Sequence, residues 1–344
     1  MAVDAMTFEL PEELNASMPP ERRGVRRDFV RMMVLNRLTG EINHTHFHKI
    51  NAFLNPGDVI VLNASRTIPA VLKAEWCLAE AACNQVEVRL SHKKGPATWE
   101  ALLVDADVSI GGILHFSPTL QATVTEKQTA PIYTLHFSAC DSELYEQIYQ
   151  LGEPVRYEYI GQPWSLDYYQ TVYATMPGSV EMPSAGRAFS WELLLKLQNS
   201  GVQIVYVQLH TGLSYLLKNE WQQSPEQNFE EYIVPVDTVR TILDAKARGN
   251  KILAVGTTVV RALETSANEF GELRPGTGWT NLYIHADYPL RVVDALITGF
   301  HEPEASHLDL LSAFIDRHLL SNAYKQAVDH RYLWHEFGDM NLII

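Results

Sequence analysis

Two histidines close apolar runs in this chain: His210 in QIVYVQLH and His301 in ALITGFH. An imidazole at a strand end can take or give a proton near neutral pH. A lone histidine is more often a satisfied, partly buried side chain with a backbone partner. Two at equivalent strand ends make a catalytic pair worth weighing against that reading. In KILAVGTTVVRALE the apolar run breaks at Gly256, Thr257 and Thr258. This is a strand-to-helix turn whose amides and hydroxyls can hold a carboxylate or a ribose hydroxyl.

The loop GSVEMPSAGRAFSWE carries Ser184 and Gly186 ahead of a helix-like run, which suits close approach to a ligand. Ser184 lacks the GxSxG setting of a hydrolase nucleophile. Neither GxxxxGK[ST] nor GxGxxG occurs, so nucleotide binding through those fingerprints has no support. His44, His46 and His48 alternate and would share one face of a strand. With no acidic or cysteine ligand nearby, a half-exposed strand face is the better reading, and no metal site is expected. Arg261 and Glu264, spaced i, i+3, would pair on a helix surface. Arg22, Arg23, Arg26, Arg27 and Arg31 crowd one short window and form the best local surface for phosphate contacts. Pairing of these arginines with Glu21, Asp28 and other acids is the alternative.

Positioning such residues takes strands that end together. Ser190 should cap the helix WELLLKLQNS, stopped by Gly201, and VQIVYVQL should then run as a buried strand. Asp237 should cap TVRTILDAKAR, stopped by Gly249, before the strand KILAV. Thr257 or Thr258 opens the next helix. Repeated helix-then-strand units imply a largely parallel sheet covered on both faces, with ligands at the carboxyl ends of its strands. Nearer the N-terminus, MMVLNRLTGEINHTHF reads as a hairpin bending at Thr39-Gly40, and Asp58 to Leu62 as a strand buried on both faces. From about Ala74 to Gln150, alternating segments such as QVEVRL and APIYTLHFS are separated by turns, as in a small barrel or sandwich. The expected fold is α/β: a large mixed α/β domain from residues 1–73 and 151–344, with an inserted barrel-like all-β domain at 74–150.

The chain has 344 residues, enough for two domains, with 46 % hydrophobic and 20 % charged residues. A net charge of -14 argues against unselective coating of nucleic acid. Cys77, Cys83 and Cys140 form no CxxC, so neither a disulfide framework nor structural zinc is expected. The start, MAVDAMTFELPEEL, has no signal-peptide pattern, and no run of 18 apolar residues occurs. A cytoplasmic protein away from membranes is expected. It should be monomeric, since no coiled coil stands out.

Many blocks in order resemble one family, the S-adenosylmethionine:tRNA ribosyltransferase-isomerases of queuosine biosynthesis. They include RDFVRMMVLNRLTGEINHTHF at 27–47, LNPGDVIVLNASRTIPA at 54–70, YQTVYATMPGSV at 169–180, AVGTTVVRALE at 254–264, VVDALITGFHEP at 292–303 and FGDMNLI at 337–343. The resemblance covers nearly the whole chain. It implies a transferase/isomerase that moves and isomerises the ribosyl part of S-adenosylmethionine onto 7-aminomethyl-7-deazaguanine in a tRNA anticodon, giving epoxyqueuosine-tRNA, adenine and methionine. It implies S-adenosylmethionine as co-substrate, the tRNA anticodon stem-loop as partner, and no metal or permanently bound cofactor. His210 or His301 would serve as the base, and the Thr257 turn would bind the co-substrate.

Some polar positions differ from the family pattern. Arg187 and Ala188 stand for Leu-His, HTGLSYL for HVGLGTF, PEQNFEEY for HxMHSExY, and Gly299, Glu302 and Glu304 for Asn, Leu and Lys. The resemblance therefore implies altered site motifs. The same scaffold would also serve a paralogue with another acceptor, or a non-catalytic ligand- or RNA-binding protein.

Overall fold

The computed structural model describes residues 8–77, 83–128, 132–213, 228–303 and 305–344. The chain enters its main sheet through a hairpin, β1 (Arg31–Leu35) and β2 (Ile42–His46). Gly40 takes φ 72° in the turn, a left-handed conformation that costs glycine little, and Asn36 Oδ1 accepts the amides of Leu38 and Thr39. β3 (Val59–Asn63) is buried along its length. Val59 and Val61 join one apolar core and Ile60 and Leu62 another, the period-two signature of a strand covered on both sides. β4 (Ser65–Thr67) leads out of it.

The next six strands are β5 (Val71–Cys77), β6 (Cys83–Gly95), β7 (Thr98–Val104), β8 (Ile113–His115), β9 (Gln121–Lys127) and β10 (Ile132–Phe137). They close into an antiparallel barrel in the order β10-β7-β6-β5-β8-β9. Leu72, Val88, Leu90, Leu103 and Leu135 belong to its core, and α1 (Asp141–Leu151) packs Leu144 and Ile148 against it. The change of character read near Ala74 falls inside β5. Cys77 and Cys83 correct an expectation, because they are joined in a disulfide. They face each other directly across β5 and β6 with Cα atoms 4.1 Å apart, a proximity created by strand register. Cys140 is free and exposed.

β11 (Met176–Ser179) pairs with β4, and α2 (Trp191–Asn199) follows. Ser190 Oγ accepts the Leu193 amide at 3.1 Å, a cap that contributes about 1 kcal/mol. Gly201, at φ 88°, ends that turn of chain as expected. The remaining elements begin with β12 (Gln203–Leu209), β13 (Glu230–Val234), α3 (Val236–Ala247), β14 (Ile252–Val255) and α4 (Thr257–Ser266). They end with β15 (Gly276–Thr280), β16 (Ala295–Thr298), α5 (Ser306–Leu311), α6 (Arg317–Asp329) and β17 (Met340–Ile343). Asp237 does not cap α3. Pro235 stands at the cap, and Asp237, one residue inside the helix, pairs with Arg240 instead.

These strands form one nine-stranded sheet in the order β15-β13-β12-β3-β14-β16-β17-β1-β2. It is mixed rather than largely parallel. β12, β3, β14 and β16 run parallel, as do β17 and β1, while antiparallel pairs add β13, β15 and β2 at the flanks and join β16 to β17. The four central strands therefore end on one edge, at Leu209, Asn63, Val255 and Thr298. Among the described residues, no helix is long and apolar enough to cross a membrane.

Candidate active site

β12 delivers His210 to this edge, and its neighbours fix the backbone there. Asn63 donates Nδ2 to the Leu209 carbonyl at 2.9 Å and accepts the Leu209 amide at 3.1 Å, so one side chain clamps both backbone groups. The same Nδ2 lies 3.3 Å from Thr258 Oγ1, which ties the end of β12 to the first turn of α4. The His210 Nδ1 lies 2.7 Å from Ser65 Oγ, and Ser65 Oγ lies 2.5 Å from Ser179 Oγ. Burial, helped by the Lys93 ammonium, lowers the His210 imidazole to about 4, so the ring is neutral at pH 7.

His210 lines a cavity of about 240 Å³ between barrel and sheet. Lys93 from β6 and Tyr145 from α1 supply the barrel side; Glu231 from β13 and Trp279 from β15 supply the sheet side. Aromatic faces, an ammonium and a carboxylate thus converge on one cleft. That combination suits a ligand with a flat base and charged ends.

The Gly256 turn lies deeper along the edge. Gly256 is at φ 90°, and a Cβ there would come within 3.3 Å of the Ala185 Cβ. Thr257 opens α4, and Val259 N donates back to Gly256 O, so the amides of Thr257 and Thr258 precede the first intrahelical donor. Ser184 to Gly186 form a single 3-10 turn packed beside it. A Cβ on Gly186 would meet the Tyr173 hydroxyl at 2.0 Å. A water-sized cavity of about 10 Å³ is lined by Ser184, Arg187, Gly299, His335 and Glu336. Burial raises Glu336 well above the usual carboxylate range, and the nearby Glu181 adds to this.

His301 shares the sheet edge with His210 but does not line the His210 cleft. Its Nε2 is 2.8 Å from Thr298 Oγ1, and its ring stacks on His307 at 4.5 Å. Burial and the neighbouring His307 hold the ring well below the ordinary imidazole range. Arg261 does not pair with Glu264. It turns to Glu230 on β13, while Glu264 is buried and accepts the amides of Arg291, Val292 and Val293. Glu302 sits 3.5 Å from His335 Nε2. Glu304, Ser214 to Leu216 and Pro225 to Gln227 lie outside the described residues.

The arginine window is mostly tied inward. Arg26 pairs with Asp28, Arg27 with Glu21 and Arg31 with Asp339, and Arg23 donates to the Phe337 carbonyl at 2.8 Å. Arg22 lies over the rings of Trp164 and Tyr168. Arg22 and Arg26 remain exposed. Arg187 is buried, donates to Glu21 at 2.7 Å and to the Tyr168 carbonyl, and lies over Phe337. His48 falls in a 3-10 turn beyond β2, so it does not share a strand face with His44 and His46. His44 instead bonds the Tyr332 hydroxyl and stacks on His330. No cluster of described residues has the makings of a metal site.

A family model described as queuosine biosynthesis protein matches residues 3–343. The chain belongs to that family. Among curated members of the queuosine biosynthesis family, the S-adenosylmethionine:tRNA ribosyltransferase-isomerase of Desulforamulus reducens is 36% identical, with 100% of each chain covered. The enzyme of that name from Thermotoga maritima is 37% identical, again over 100% of both chains. A crystal structure of S-adenosylmethionine tRNA ribosyltransferase from Thermotoga maritima matches with a TM-score of 0.57 and 33% identity, covering 98% of this chain and 99% of that one. The expected alteration of the site motifs finds no support in these matches, which run the length of the chain. Sequence reading missed Asn63 and Ser65, which hold this family member's strand ends in place.

Proposed function

We propose that the protein transfers and isomerises the ribosyl moiety of S-adenosylmethionine onto 7-aminomethyl-7-deazaguanine in tRNA, giving epoxyqueuosine-tRNA, adenine and methionine. The observation that carries this reading is the end-to-end match, at 36% and 37% identity, to enzymes named for ribosyl transfer and isomerisation. S-adenosylmethionine is then a co-substrate, and the reaction calls for no permanently bound cofactor.

The cleft chemistry supports the reading. Trp279 and Tyr145 offer faces for a flat base, and Glu231 offers a carboxylate to a sulfonium. Neutral His210, oriented by Ser65, serves as a hydrogen-bonding partner for the ribose. The amides at Thr257 and Thr258, with the Ser184 to Gly186 turn beside them, suit the methionine carboxylate. His301, tied to Thr298 and stacked on His307, supports the edge from within.

On the RNA side, Arg22 and Arg26 are the exposed members of the arginine window and so the best placed for phosphate contacts, Arg26 while keeping Asp28 as a partner. A monomeric, cytoplasmic enzyme, with residues 74–150 as a domain closing over the sheet edge, belongs to the same proposal.

Incubation with S-adenosylmethionine and tRNA carrying the deazaguanine precursor tests it. Adenine should be released in step with tRNA modification. Release no greater than that of a heat-killed control would refute it.

A further inference from the structure

An exposed tryptophan marks the mouth of the His210 cleft. Trp279 lies on β15, the outermost strand at that end of the nine-stranded sheet, and is 45% exposed while lining the cavity. Trp99 and Trp334, by contrast, are fully buried in the cores. A large aromatic face left open at the rim of a cleft points to a flat partner that arrives from outside.

Strand register sets what lies beside the indole. Trp279 faces Glu231 directly across the β13–β15 pair. On the other flank of β13, Leu209 faces Tyr232, and the next residue, His210, donates its amide to the Glu231 carbonyl at 2.9 Å. Side chains alternate between faces along a strand, so Glu230 and Tyr232 turn to α4 and the core, while Glu231 and Ile233 turn to the cleft. Trp279, Glu231 and His210 therefore form one row on the cleft floor, about 10 Å long at two strand spacings. A base stacked on the indole has its edge over the carboxylate. A ribose held at His210 lies on the other side of the same carboxylate.

The opposite wall is less open to a stack. The Tyr145 ring has Trp99 edge-on at 6.4 Å and the Lys93 ammonium 5.1 Å from its centre, so two approaches to it are taken. The reaction proposed above brings together two flat bases, the adenine of a small molecule and a deazaguanine fixed in an RNA. A cavity of about 240 Å³ admits a small ligand but not a polynucleotide backbone. The RNA base has to be turned out of its loop and offered from the mouth.

We propose that Trp279 is the stacking platform for the extruded acceptor base, placing its aminomethyl group over Glu231 and next to the ribose at His210. The proposal rests on the ribosyl-transfer reading above. Stacking on an indole is indifferent to base identity, because every base has a π face. The carboxylate beside it supplies the choice: an aminomethyl group is cationic at neutral pH, and guanine carries no such group. Glu231 then meets a cation from each reactant, the sulfonium from one side and the ammonium from the other.

The test is a binding cycle on the full-length protein. Wild type and Trp279→Ala are each titrated, by fluorescence anisotropy, with an anticodon stem-loop bearing the aminomethyl-deazaguanine and with the same RNA made abasic at that nucleotide. Wild type should bind the base-bearing RNA about tenfold or more tightly than the abasic one, the size expected for a stacked base. Trp279→Ala should lose most of that preference, and Trp279→Phe, which keeps a ring, should recover much of it. Exposure of Trp279 means that the alanine variant should melt near the wild-type temperature. In turnover, Trp279→Ala should raise KM for the tRNA about tenfold and leave KM for S-adenosylmethionine within about twofold. Glu231→Gln should reduce the preference for the aminomethyl base over guanine about tenfold.

An equal preference for the base-bearing RNA in wild type and Trp279→Ala overturns the assignment and leaves the reaction standing. So does a rise in KM confined to S-adenosylmethionine, which would put adenine on the indole. A preference over guanine that Glu231→Gln does not change removes the carboxylate from base recognition. Wild type that releases no adenine with precursor tRNA overturns the reaction reading, and this proposal with it.

Discussion

Gly178 lies against the His210 imidazole so closely that a Cβ would come within 2.6 Å of Nδ1. The glycine keeps β11 next to the ring while Ser65 orients it from β4. Gly178→Ala should push the imidazole out of line with the cleft and lower kcat roughly 100-fold, as an ångström-scale misplacement can. Steady-state kinetics with a thermal melt checks this: a large kcat loss with a small Tm change is expected, and unchanged kcat would contradict the placement.

Ser65 links two buried groups, Ser179 Oγ and His210 Nδ1. Ser65→Ala leaves His210 Nδ1 without that partner, while Ser179 Oγ keeps the Thr211 amide, at a cost of about 1–3 kcal/mol. Urea denaturation reads that loss directly. Ser65→Thr, which keeps the hydroxyl, should lose less.

Glu230 is buried and joins two parts of the edge, accepting the Gly212 amide at 3.3 Å and pairing with Arg261. Arg261→Met would strand that carboxylate, a change that typically costs 3–5 kcal/mol when a buried pair is broken from one side, so about that loss is expected. Chemical denaturation of the single variant and of Arg261→Met with Glu230→Gln measures it. The double variant should recover part of the loss, and equal losses would show that the pair is uncoupled.

How far these residues were legible in the sequence depends on what holds each one. The strand ends were readable because apolar runs broken at GTT and at TG announce a strand-to-helix turn wherever they occur. The barrel announced itself through period-two alternation between turns. Partners chosen in three dimensions were not readable. Arg261 looked matched to Glu264 by helix spacing, yet Glu230 from another strand and the amides of Arg291 to Val293 competed for the two groups and won. Cys77 and Cys83 became neighbours only through β5–β6 register. Asp237 lost the cap to Pro235 because the helix began two residues earlier than the sequence signal. His92 sat in an amphipathic strand segment, LSHKKG, with no spacing that links it to His210 or Gly212; the fold alone brings them together.

Acid should loosen the fold before the carboxylates titrate. His210 and His335 are lowered to about 4 by burial, with Lys93 adding to the effect at His210, against about 6.5 for an unfolded histidine. Between those values the unfolded chain binds more protons, so stability rises with pH and is lost as pH falls from about 6.5 toward 4. Melting temperatures measured from pH 7 down to about 5 should fall for the wild type and fall less steeply for His210→Asn. Parallel curves would mean that His210 is not held neutral.

Under the proposed function, the ribosyl part of S-adenosylmethionine ends on a modified base in tRNA. Supplying S-adenosylmethionine labelled in the ribose, with tRNA bearing the aminomethyl-deazaguanine precursor, measures that transfer directly. Label should appear in the tRNA in equal amount to the adenine set free. Adenine without tRNA-bound label, or label that stays wholly in small molecules, would contradict it.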